Sequence, residues 1–177
     1  MSIELLGRYE RSQTVCFTGH RPERLPREPE GLTRLQTRLT RAIEDAIQRG
    51  KTNFISGAMS GFDTLAAEHV IALKEKYPWV KCILVAPYSV RYFHSKSWTP
   101  EWEARLKLVV ERADLSIWLS ENWYRGAYYA RDRVIVDASS EVIAYYDGGA
   151  GGTRYTVNYA KVQGKPVGNM CAPTFRA

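Results

Sequence analysis

The chain predicts an α/β fold: a Rossmann-like three-layer domain with a mainly parallel, doubly wound sheet of about six strands. Three observations predict it. Short apolar runs alternate with longer segments of helical periodicity along almost the whole sequence, the pattern of strand–helix–strand units. Three of the apolar runs, near residues 14–18, 53–56 and 141–146, end in glycine-bearing turns. The run KCILVA at 81–86 is apolar without interruption and bounded by turn residues, which suits a central parallel strand covered on both faces.

Taken in order, residues 1–13 are polar and aperiodic and read as a loosely held arm before one domain over 14–177. The first strand, 14–18, runs into Thr18-Gly19-His20-Arg21, and Pro22, Pro26 and Pro29 then impose an extended loop. Residues 32–49 place Leu35, Leu39, Ala42, Ile43, Ala46 and Ile47 on one helical face, and Gly50 ends the helix. Arg34, Arg38 and Arg41 fall on the other face, a solvated surface or a nucleic-acid contact. The second strand, 53–56, enters Gly57-Ala58-Met59-Ser60-Gly61, and a helix follows over 61–77 until Pro78. Ser60 and Asp63 have the spacing of a capping pair, and the start of that helix offers unpaired N–H groups to an anion.

After the third strand, residues 88–98 interleave Tyr88, Tyr92, Phe93 and Trp98 with Arg91, His94 and Lys96. Such a loop stacks on a nucleobase or folds onto the domain by its own rings. Thr99-Pro100-Glu101 opens the next helix, with Trp102, Leu106, Val109, Val110 and Ala113 inward. A fourth strand at 115–119 leads through an irregular stretch to a helix over 128–139. Arg131 and Arg133 stand near its start, where cations oppose the helix dipole, so an ion pair with Asp132 or Glu121, or a bound anion, should justify them. The fifth strand meets the glycine cluster at 147–153, a helix follows over 153–163, and a short strand at 167–170 closes the pattern.

The composition is that of a globular protein, with 177 residues, 45% hydrophobic and 25% charged. Cys16, Cys82 and Cys171 are scattered in apolar segments without a CxxC spacing, which argues for reduced thiols and against a disulfide framework or a metal site. No apolar run reaches the length of a membrane span and no signal-peptide layout opens the chain, so a cytoplasmic location and no membrane partner are expected. A net charge of +6 favours anionic partners. The P-loop, the GxGxxG fingerprint, the GxSxG elbow and HExxH are all absent, which removes those nucleotidase, dehydrogenase and hydrolase classes.

Four stretches in order, residues 14–22 (TVCFTGHRP), 55–68 (ISGAMSGFDTLAAE), 131–139 (RDRVIVDAS) and 146–160 (YDGGAGGTRYTVNYA), resemble the YpsA-like family of the SMF/DprA and LOG (SLOG) superfamily. The resemblance implies binding of a nucleotide, a nucleotide-derived small molecule or single-stranded nucleic acid, with no cofactor. The turn at 56–63 is similar to the DprA branch, which binds single-stranded DNA. The turn at 148–153 is similar to the PGGxGTxxE phosphate turn of the LOG branch, which includes enzymes cleaving the glycosidic bond of nucleoside monophosphates. Here Asp147 stands where that motif has proline, and Arg154-Tyr155-Thr156 follows where it has its acid.

The residues expected at a ligand are Thr18, Gly19, His20 and Arg21 from the first turn, Gly57, Met59, Gly61 and Asp63 from the second, Tyr88, Arg131, and Gly149, Gly151, Gly152 and Thr153 from the last. The last turn is the best phosphate cradle, because backbone N–H groups, a hydroxyl and a helix start converge there. His20 reads either as a base or phosphate contact or as a structural histidine. Hydrolysis needs a positioned carboxylate, for which Asp63 and Glu68 are the candidates; Asp63 also reads as a cap and Glu68 as surface. A homo-oligomer is left open.

Overall fold

The computed structural model describes residues 3–89 and 98–171. The strands are β1 (Thr14–Gly19), β2 (Asn53–Ser56), β3 (Lys81–Ala86), β4 (Leu115–Trp118), β5 (Glu141–Tyr145) and β6 (Val167–Asn169). All pair in parallel, in the order β4-β3-β2-β1-β5-β6. The helices are α1 (Pro29–Gln48), α2 (Phe62–Leu73), α3 (Pro100–Arg112), α4 (Ala127–Asp137) and α5 (Gly152–Val162). The chain steps outward from β1 to β4, then returns to the other side of β1 with β5. That reversal makes β1 and β5 the switch point of a doubly wound sheet, the place where such folds open a crevice.

The period of two in the strands sorts the core into two layers. Phe17 and its register partner Ile143 face one cluster with Leu39 of α1, Leu65 of α2 and Val109 of α3. Their neighbours Cys16 and Val142 face the other, with Ile135 of α4 and Val157 of α5. Phe17, Phe54 and Phe62 are fully buried and touch ring to ring. Each such side chain contributes about 1.5–3 kcal/mol through burial.

Element limits differ from expectation where local chemistry intervened. Pro29 serves as the first residue of α1, so the helix begins three residues before the expected start at residue 32, and Pro22–Arg24 forms a 3-10 turn. The second helix stops at Leu73 and unwinds into turns through Tyr77. Thr99 caps α3 through its side chain, as its spacing predicts. Residues 3–13, expected as a loosely held arm, form two 3-10 segments, Ile3–Arg8 and Arg11–Gln13, and Leu6 is buried beside the α4–α5 layer.

Cys16 and Cys82 are buried free thiols, pushed up to about 12 mainly by burial, which leaves them unreactive. Among the described residues no helix is long and apolar enough to cross a membrane.

Candidate functional site

Because every strand runs the same way, the glycine-bearing ends of β1, β2 and β5 meet along one edge of the sheet. They border an open cavity of about 460 Å³, flanked also by the starts of α4 and α5. Thr18, Gly19, His20 and Arg21 line it from β1, Met59 and Asp63 from the β2–α2 turn, and Gly151, Gly152 and Thr153 from the start of α5. Arg131 lines it from α4.

The β2–α2 turn is held by backbone proximity. Gly61 has φ +91°, and a Cβ there would lie 2.6 Å from the His20 carbonyl oxygen. The Phe62 N–H donates to that same carbonyl at 3.1 Å, so the first and second turns are joined. This removes the expected Ser60–Asp63 cap. Gly61 is the N-cap residue, and no side chain caps α2. Ser60 Oγ instead accepts from Arg21 Nη1 at 3.2 Å, while Phe62 and Thr64 spend their N–H groups on His20 and Met59. The start of α2 is thus largely satisfied from within.

Asp63 turns toward Arg131, the centre of a buried ionic cluster. Arg131 Nε donates to Asp132 Oδ1 at 2.8 Å, and its Nη1 donates to the Gly57 carbonyl and lies 3.5 Å from Asp63 Oδ2. Gly57 does not line the cavity. A Cβ there would overlap the Arg131 guanidinium, so the missing side chain makes room for it. The expected justification for a cation early in α4 is therefore an ion pair, with Asp63 added to the anticipated Asp132. Burial pushes Asp63 up to about 6, against the pull of Arg131 and Arg21.

That shift fixes a pH dependence. A carboxyl whose folded value is raised stabilises the fold below its unfolded value near 3.8, and this contribution is lost as pH rises through about 6. Asp63→Asn never ionises. Its melting temperature should therefore gain on wild type between pH 4 and pH 7.5, by an amount corresponding to roughly 2 kcal/mol, or about 4–8 °C. Parallel melting curves for the two proteins across that range would contradict the assignment.

On the opposite wall Arg24 grips the glycine loop. Its Nε donates to Asp147 Oδ2 at 3.0 Å, its Nη2 to Asp147 Oδ1, and its Nη1 to the Ala150 carbonyl at 3.2 Å. The paired guanidinium and the Gly149 N–H hold the Asp147 carboxyl down to about 2. Gly149 lies against Arg24 and outside the cavity lining. His20 Nε2 is 3.1 Å from the Asp147 amide and 2.9 Å from Asp147 Oδ1. A neutral ring accepts from the amide and a protonated one donates to the carboxylate. Burial and Arg24 lower its affinity for a proton, which favours the neutral form and the amide contact. His20 is thus a tie between the first and last turns as well as a lining residue.

The start of α5 is exposed beside the cavity. Its first intrahelical bond runs from the Tyr155 N–H to the Gly151 carbonyl at 3.2 Å, so the amides of Gly152, Thr153 and Arg154 precede the ladder. Thr153 and Thr156 present hydroxyl-bearing side chains on the same wall. Tyr88 stands behind the lining, its hydroxyl 2.9 Å from that of Tyr128, which does line the cavity and over which Arg21 lies. Residues 90–97, most of the expected aromatic loop, lie outside the described residues. Glu68 is absent from the lining and is bound by Arg105 of α3, whose Nε donates to it at 2.8 Å.

Arg24, Asp132, Gly126, Tyr128, Tyr129 and Thr156 also line the cavity and were not expected there. Gly126 carried a readable signal, since it too stands between a strand–loop segment and a helix start. Arg24 had none, because its partner lies 123 residues away.

A family described as the YspA SLOG family, YpsA, matches residues 15–168. The uncharacterised SPbeta prophage-derived protein YoqJ of Bacillus subtilis (strain 168) is 29% identical over 143 residues, 73% of this chain and 82% of YoqJ. Among solved structures, DNA processing protein A from Helicobacter pylori, described for its single-stranded DNA binding mode, superposes with a TM-score of 0.62 at 21% identity. DNA processing protein A from Streptococcus pneumoniae gives 0.59 at 20%. Each likeness covers 93% of this chain, which spans 66% and 50% of those two proteins, and at such identities it is a likeness of fold.

Proposed function

From a chain that belongs to the YspA SLOG family, with its glycine turns gathered on one cavity, we propose binding of a nucleotide or nucleotide-derived ligand there. The observation that supports this most directly is the start of α5. Early backbone amides, Thr153 and the positive end of the helix dipole face the cavity beside Arg24 and Arg21, a setting suited to a phosphate. The ring of Tyr128 and the carboxylate of Asp63 offer the remainder of the ligand a stacking face and an acceptor. A volume of about 460 Å³ falls within the usual range for small-molecule sites.

Gly152 supplies a clean test. It lines the cavity, and a Cβ added to it meets nothing within 4 Å, so the fold has room for a side chain that the ligand does not. Gly152→Leu should keep its melting temperature within about 2 °C of wild type. It should lose the thermal stabilisation that nucleoside mono- and diphosphates, ADP-ribose or NAD give to wild type. Absence of any shift in wild type at millimolar ligand, or an equal shift in the variant, would refute the proposal.

A second reading, cleavage of a nucleotide's N-glycosidic bond, is favoured by the buried Asp63 carboxylate on the cavity wall. Its ionised form would stabilise an oxocarbenium-like centre, so release of free base should rise through about pH 6. Equal base release by wild type and Asp63→Asn would dismiss it.

A further inference from the structure

The cavity does not end at its rim. Tyr129 of α4 lines it and is 49% exposed. Its ring lies 4.5 Å from that of Tyr155 on α5, and Tyr155 lies 6.3 Å from Tyr159, one turn further on, with the two planes only 5° apart. The three rings form a row leading away from the cavity along the packed α4–α5 pair. The Tyr159 hydroxyl donates to Asp137 at 3.0 Å, which fixes the far end of the row. Tyr129 is exposed, Tyr155 is half-buried, and Tyr159, also half-buried, rests against the α4–α5 side of the core.

Charge follows the same path. Arg133 stands one turn after Tyr129 and Arg154 immediately before Tyr155; both are exposed, and among the described residues neither forms an ion pair. Fixed aromatic faces flanked by cations suit a chain of alternating π-faces and phosphates. A mononucleotide in the cavity would leave the row unused.

We propose that Tyr129, Tyr155 and Tyr159 form a stacking track for a single-stranded oligonucleotide, one nucleotide of which occupies the cavity while Arg133 and Arg154 meet the phosphates that follow. The inference rests on the nucleotide reading of the cavity and adds the polymeric nature of the ligand. Because stacking on tyrosine is indifferent to the identity of the base, the track takes pyrimidine and purine runs alike.

The test measures anisotropy of labelled oligothymidylate and oligouridylate, each about fifteen nucleotides long, with thymidine and uridine monophosphates as competitors. Either oligomer should bind at least about tenfold more tightly than its monophosphate, and the tighter of the two identifies DNA or RNA as the source. Tyr155→Ala with Tyr159→Ala should weaken the oligomer by about fivefold or more per ring while leaving the monophosphate unaffected, and Tyr155→Phe should retain binding. Arg133→Gln with Arg154→Gln, both at exposed positions, provides a second probe independent of ring packing. It should lower the slope of log K against log salt by about 0.7 for each phosphate that is no longer neutralised. A monophosphate that binds while the oligomer binds no better overturns the track and leaves the cavity reading intact. Failure of both ligands removes both, and an oligomer affinity unchanged in the tyrosine and arginine variants also overturns the track.

Discussion

Replacing Arg131 with methionine is expected to lower the unfolding free energy by about 3–5 kcal/mol at pH 7.5. The guanidinium satisfies three groups at once: Asp132, Asp63 and the Gly57 carbonyl. Both carboxylates are nearly excluded from water, with Asp63 and Asp132 at 6% and 5% exposure. A buried ion pair often adds little over a well-packed apolar substitute, but removal of one member strands its partners, and the stranded charge sets the cost. Methionine keeps much of the packing volume, so the loss isolates the electrostatic part. At pH 4 the loss should shrink, because Asp63 is then protonated and one of the stranded charges disappears. Urea titrations at the two pH values measure this. A destabilisation below about 1 kcal/mol at pH 7.5 would show that the cluster is better hydrated than its burial implies.

Gly61→Ala should cost roughly 3 kcal/mol or more and abolish ligand stabilisation together. The residue combines φ +91° and ψ −131°, a conformation closed to side chains, with a carbonyl oxygen 2.6 Å from where a Cβ would stand. The obstacle is backbone of the first turn, which has no rotamer by which to yield. Relief requires the β2–α2 turn to part from His20, and that junction is also one wall of the cavity. A fall in melting temperature of about 6–12 °C is expected, against almost none for Gly152→Ala, where the space is open. Equal behaviour of the two variants would show that the two turns approach each other less closely at Gly61 than this geometry requires.

What was legible in the sequence was the framework. Runs such as KCILVA and the glycines after residues 18, 56 and 147 mark strands and their ends without help from the rest of the chain. Parallel pairing then brings those ends together. Long-range partnership was illegible. Asp63 has the spacing of a cap, and only the conformation of Gly61 shifts the cap position and frees the carboxylate for Arg131. Glu68 reads as a free acid until Arg105, 37 residues on, is folded against it. Tyr88 reads as a ligand contact and proves to brace Tyr128. Gly149 and Gly57 look like parts of a cradle, yet their missing side chains accommodate Arg24 and Arg131. In each case the local pattern identified a position of little bulk or unusual charge, and its occupant came from elsewhere in the chain.

The strand order also dictates when the pocket comes into being. One flank belongs to β1 and the facing flank follows β5, which aligns beside it with Gly19 opposite Tyr145. During synthesis, β1 to β4 and α1 to α4 emerge from the ribosome before that neighbour does. Until then the nascent polypeptide lacks the wall that Gly151, Gly152, Thr153 and Thr156 supply, whatever sheet it has already assembled. Ligand capture by a growing or refolding chain would therefore mark the closing step of its assembly and be silent on the initial collapse.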